Sequence, residues 1–235
     1  MISTQTTIKE IAQYHPLFET VLDRYALRFS DQQMPIGVAC VEAEIETDFL
    51  IEVLRVFEAP QTFDAKTLQR FPIPVILDYL YKTHAWYQEK RLGEIELSVA
   101  RLAEVYRAEH PLLSLLRTFF QRYKVQIAEH IADEERNLFP VATNIWDAAE
   151  KGVAFNEPFD PDAFMHAHGE DELDVPLKEI QALVERRHPE VKNLFPYNVL
   201  NWQLNALQQD LWIHERVEEE VLIPRMSEML GAMKK

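Results

Sequence analysis

Apolar residues recur at mixed spacings of three and four along most of this chain, which is the spacing that puts them on one face of a helix. Near the start, Ile8, Ile11, Leu17, Phe18, Val21 and Leu22 follow that rule, with Thr7 placed to cap the helix. Ser30 to Gly37 reads as a turn, and a second helix is predicted from about Val38 through Phe49, Leu50, Val53, Leu54 and Phe57. Pro60, Pro72 and Pro74 mark residues 59–73 as a linker. Four long helical patterns follow, at about 74–107, 111–148, 162–187 and 196–230, with a kink expected at Pro176. Long helices with short connections predict an all-α chain: an antiparallel four-helix bundle over 74–235, preceded by a small helical domain over 1–58. Sixty residues bury little core, so that small domain should lean on the rest of the chain or on a second copy, which leaves a homodimer open.

Composition narrows the function classes. The 235 residues include only five glycines, which suits helices better than many short strands. Acidic side chains outnumber basic ones 39 to 24, a net charge of −15, and no basic stripe offsets it. A phosphate backbone would be repelled, so nucleic acid is excluded as the main partner. The single cysteine, Cys40, rules out an intrachain disulfide and a thiolate cluster site. No apolar run has signal-peptide or membrane-span length, so the expected location is the cytoplasm and no membrane partner is expected.

The candidate chemistry lies in a repeat. His84 and His168 are 84 residues apart, and so are His130 and His214, Glu134 and Glu218, and Pro140 and Pro224. In each His-x3-Glu the carboxylate falls about 40° round the helix from the imidazole, so one face presents both. With turns near residues 109 and 192, the histidines of each helix pair differ in height by about 6 Å and about 3 Å. Asp133 and His166 compete for the same faces, but their counterparts are Val217 and Lys82, so the repeat favours Glu134 and His168. Glu135 and Glu219, about 140° from the histidines, should point outward or sideways. Gln88 and Glu172, one turn after His84 and His168, are candidates to hydrogen-bond those rings. His110 and His188 precede prolines and read as loop residues, and His15 has no expected metal role. Tyr81, Trp86, Tyr87 and Trp212 read as packing around the site.

Four histidines and two carboxylates suit two first-row metal ions. If both glutamates bridge, each ion takes two imidazoles and two carboxylate oxygens. An oxo or hydroxo bridge would make five and leave a sixth position for O2, NO or peroxide. Nitrogen and oxygen donors without sulfur favour two iron ions over structural zinc, with manganese the close competitor.

These residues resemble the hemerythrin-like superfamily and, within it, the iron–sulfur cluster repair (RIC) di-iron family. His130-x3-Glu134-Glu135-x2-Leu138-Phe139-Pro140 carries the likeness, with its weaker repeat His214-x3-Glu218-Glu219-x2-Leu222-Ile223-Pro224. Tyr81-Lys-Thr-His84 and Glu109-His110-Pro111 add to it, and the likeness covers about residues 70–230. By matching position it implies metal ligands at His84, His130, Glu134, His168, His214 and Glu218. It implies a non-haem di-iron protein that repairs or protects iron–sulfur clusters under nitrosative or oxidative stress, with iron–sulfur proteins as clients. A hemerythrin-type O2, redox or iron sensor or carrier without turnover is the alternative, and a purely structural helical protein the third reading. The family's leading domain carries a Cys-Cys pair where this chain has Ser30 and Asp31, so two-thiol chemistry is not expected here.

Overall fold

The computed structural model describes residues 2–106, 108, 112–155, 159–161, 164 and 175–233. It is all-α: among the described residues there is no strand, only an isolated bridge between Thr7 and Pro35. No described helix is long and apolar enough to cross a membrane. The chain divides into two compact units. One gathers Met1–Thr83, Val141–Pro161 and Ile213–Lys235, the other His84–Pro140 and Asp162–Trp212.

The first unit opens with α1 (Ile8–Tyr14) and α2 (Phe18–Arg24). Thr7 caps α1 as expected: its hydroxyl accepts the Glu10 N–H at 3.3 Å while Glu10 accepts the Thr7 N–H at 2.8 Å. That backbone bond holds the Glu10 carboxyl below the usual carboxylate range. The single helix expected from Ile8 to Leu22 breaks at His15, which takes an extended conformation (φ −148°, ψ 136°) because Pro16 disfavours the helical one. The second expected helix is also broken, into α3 (Ile36–Glu42) and α4 (Thr47–Glu58). Between them Glu44 sits at φ 55°, and the Ile45 N–H closes on the Cys40 carbonyl at 2.8 Å, a helix stop usually built with glycine.

Ile8, Ile11, Phe18, Leu22, Leu50 and Leu54 are fully buried in this unit. Residues 59–73, expected as a linker, form a 3-10 turn at Pro60–Thr62 and a short α5 (Ala65–Leu68) capped by Asp64. The Phe49 ring packs against Phe71 and against Tyr79 of α6 (Ile73–Trp86), with centroids 5.1 and 5.9 Å away. Buried Arg24 lies over the Phe57 ring and donates to Thr83 Oγ1 at 3.2 Å. Burial pushes the Cys40 thiol up, so it stays protonated near neutral pH.

Longer helices follow in sequence, contributing to both units. A π turn, Tyr87–Arg91, joins α6 to α7 (Leu92–Tyr106). The next helical run is α8 (Leu112–Asp133), a π turn Glu134–Leu138, and α9 (Phe139–Glu150). Then come α10 (Val175–Arg187) and α11 (Phe195–Val217), the latter passing through a π turn Glu218–Leu222 into α12 (Ile223–Met233). The third long helix was expected from Asp162; its N-terminal stretch lies outside the described residues, and Pro176 is the second residue of the described helix. Residues of α7, α8, α10 and α11 share one buried apolar cluster. Each fully buried Leu or Phe in it contributes about 1.5–3 kcal/mol, whereas an exposed ion pair contributes about 0–1.

The repeat extends into this core. Leu116, Phe120, Tyr123 and Ile127 of α8 are buried, and so are Leu200, Leu204, Leu207 and Leu211 of α11, each 84 residues on. The first and third helices keep a different register. Ile95, Val99 and Leu102 of α7 find their buried counterparts 82 residues on, at Leu177, Gln181 and Val184. Gln181 keeps its buried position by donating its amide to Asn201 at 2.7 Å.

The capping box gives a direct test. Thr7→Ala should cost about 1 kcal/mol of stability, read as a lower urea midpoint with an unchanged slope. Because the folded-state pKa of Glu10 is depressed, its contribution is present near neutral pH and fades as pH falls through the carboxylate range. Glu10→Gln should therefore flatten the acid limb of the melting curve.

Candidate metal centre

Every described histidine of the predicted set stands beside a π turn. His84 lies three residues before the turn at Tyr87–Arg91. Glu134 opens the turn that follows His130, and Glu218 opens the turn that follows His214. In all three the chain closes on the fifth residue: the Leu92, Phe139 and Ile223 N–H groups reach the carbonyls of Tyr87, Glu134 and Glu218. Local sequence accounts for two of them. Pro140 and Pro224 each stand two residues after their π turn and lack an N–H. In an unbroken α-helix each ring would also clash with the carbonyl four residues back, at about 3 kcal/mol or more, and a wider turn relieves that. Gly93 holds the same place after the first turn. Single π turns inside α-helices are frequent at functional sites.

Glu134 is completely buried, and its two oxygens meet two imidazoles. Oε2 lies 3.1 Å from His84 Nε2, and Oε1 lies 2.5 Å from His130 Nε2. The other His84 nitrogen, Nδ1, is 3.0 Å from Glu135 Oε1, and the His84 ring stacks on Phe139 at 5.2 Å. The Glu135 side chain is 39% exposed, so one end of this chain of groups reaches solvent while its centre is dry. His214 and Glu218 are buried as well. Within the second unit His84, His130 and Glu134 come together as potential ligands, and His214 and Glu218 belong to the first.

The electrostatics call for a cation. An ionised carboxylate removed from water costs several kcal/mol unless positive charge faces it. The donors are imidazole nitrogens and carboxylate oxygens with no sulfur, a set that can hold a metal ion.

The structure revises the surroundings predicted for these ligands. Glu135, expected to face outward or sideways, reaches His84 Nδ1, the kind of carboxylate that fixes the orientation of a ligating ring. Gln88, expected to bond His84, is exposed instead, because the π turn beginning at Tyr87 changes which residues lie under the imidazole. The repeated Glu-Glu pairs at 134–135 and 218–219 were the available signal for Glu135. Asp133 accepts a bond from Asn137 at 2.6 Å. His188 lies in a loop against Glu190, and His15 packs on Phe18. Tyr87 is core, donating to buried Asp210 at 2.9 Å, and Trp86 is buried, whereas Tyr81 is exposed. His168, His166, His110 and Glu172 lie outside the described residues. The burial register bears on the first two: carried back unbroken, the 82-residue offset of α10 pairs His84 with His166, while the ligand repeat pairs it with His168.

Fold and site thus define an all-α protein with buried His/Glu groups suited to a metal. No family model matches the chain. It is similar to the iron–sulfur cluster repair protein ScdA of Staphylococcus haemolyticus (strain JCSC1435), at 21% identity over 142 residues. The match covers 60% of this chain and 63% of that protein, less than two thirds of the relative's length.

Removing the Tyr87 hydroxyl leaves Asp210 with one fewer donor. Tyr87→Phe should lower stability by about 2 kcal/mol, measured by chemical denaturation of the metal-free protein.

Proposed function

We propose that this chain is a non-haem dinuclear iron protein acting in repair or protection of iron–sulfur clusters under nitrosative or oxidative stress. The observation that carries the reading is Glu134, a wholly buried carboxylate with an imidazole at each of its oxygens. A carboxylate shared in this way suits a bridge between two ions. His84 would serve one ion and His130 the other, and the ligand repeat offers His214, Glu218 and His168 to complete the set, with His166 the alternative on the third helix. The likeness to a cluster repair protein supports the same role.

Two such ions would supply redox chemistry toward NO, O2 or peroxide. The protein's own share is positional. Glu134 holds the two halves of the donor set at one point, and Glu135 fixes the His84 ring through Nδ1. Phe139 covers one face of that ring and helps keep water out.

Metal analysis of protein loaded with ferrous iron should give two ions per chain. Glu134→Ala should lose both, and His188→Ala, a loop substitution, should keep both. Exposure to NO should change the optical spectrum of the loaded protein, and His130→Ala should abolish that change. A folded chain that takes up no transition metal would overturn the reading. The third-helix ligand is settled by two substitutions: His168→Ala should drop the metal content if the ligand repeat sets the register, and His166→Ala if the core does.

A further inference from the structure

The π turn that carries Glu218 has a gap in its hydrogen bonding. In an α-helix the Glu220 carbonyl accepts from the N–H of residue 224, and here residue 224 is proline. Buried or half-buried carbonyls are nearly always supplied from somewhere, so the question is which group serves this one. The donor comes from far away in sequence. The Gln69 side-chain amide reaches the Glu220 carbonyl at 2.6 Å, just beyond the end of α5.

Other contacts hold the same residue. The Glu220 carboxylate takes a two-pronged bond from Arg216, with Nε and Nη2 at 2.6 and 2.8 Å from its oxygens. That guanidinium lies 4.3 Å over the Phe63 ring, and its pKa is raised by the Glu220 hydrogen bond. Gln69 therefore holds the Glu220 backbone directly, and Phe63 bears on its side chain through Arg216, two positions after Glu218. All these groups belong to one compact unit. Nothing comparable is needed after the first π turn, where Gly93 keeps its N–H.

We propose that Gln69 is a positioning residue for Glu218: its amide supplies the donor that Pro224 cannot, and so fixes the π turn on which the Glu218 carboxylate is carried. The segment between the N-terminal helices and α6 then does more than connect them. It sets the geometry of one side of the metal centre, and occupancy of that centre is coupled to how residues 63–69 are seated. The part of the inference that concerns metal rests on the proposed function; the part that concerns the backbone does not.

Gln69→Glu tests it with a side chain of the same shape that, when ionised, can only accept. In the metal-free protein, amide exchange at Leu222 and Ile223 should speed up about five- to tenfold, while exchange in α3 stays as in the wild type. In a Pro224→Ala background, where residue 224 again offers an N–H, the same substitution should have little effect. Titration with ferrous iron should show affinity reduced about tenfold or more by Gln69→Glu in the Pro224 protein. Unchanged exchange in Gln69→Glu would overturn the inference, as would an effect of equal size in both backgrounds, which would mean that Gln69 acts by packing alone. If the wild type binds no iron while the exchange results hold, the proposed function falls and the capping role stands. If the wild type binds iron and Gln69→Glu binds it equally well, the positioning role falls and the proposed function stands.

Discussion

One buried carboxylate organises the site. Glu134 has no exposure, and an imidazole faces each of its oxygens. Left uncompensated, that charge would cost more than the burial of any one leucine nearby returns. The helices around it therefore have to be long enough and packed well enough to hold it. The apolar stripes of α8 and α11 supply that packing with the same positions in each copy, Leu116 to Ile127 and Leu200 to Leu211.

Much of this was legible in the residues. Helix class follows from three- and four-residue spacing, and Thr7 with Glu10 announces the first cap. The two His-x3-Glu motifs identify the buried donors because few other arrangements need that pairing twice at one offset. Helix continuity was less legible. His15 and Glu44 interrupt stretches whose apolar pattern runs on unbroken, the first because a proline follows it and the second because the chain reverses through a left-handed residue without glycine. Periodicity reports which face is buried and does not register a stop that keeps the face.

The wider turns explain what the pattern could not give. A strict 3.6-residue wheel puts Glu135 away from the histidine face and Gln88 beneath His84. Glu135 lies to the side, part exposed and in reach of His84, while Gln88, in the first wider turn, is exposed. Pro140 and Pro224 were the visible trace of those turns, two residues beyond each of them. The same arithmetic explains why the third-helix histidine has two candidates: a shift of register between α7 and α10 separates the core repeat from the ligand repeat.

Turns of this kind also constrain how the chain can change over time. Beyond each one, every side chain is rotated by roughly one residue's worth of helix, about 100°, relative to a straight continuation. Met226 and Ala142 are buried in that shifted phase. Losing a single codon inside either turn would leave a straight helix with those side chains still in phase, so what such a deletion removes is the widened turn itself and the placement of the carboxylate that opens it.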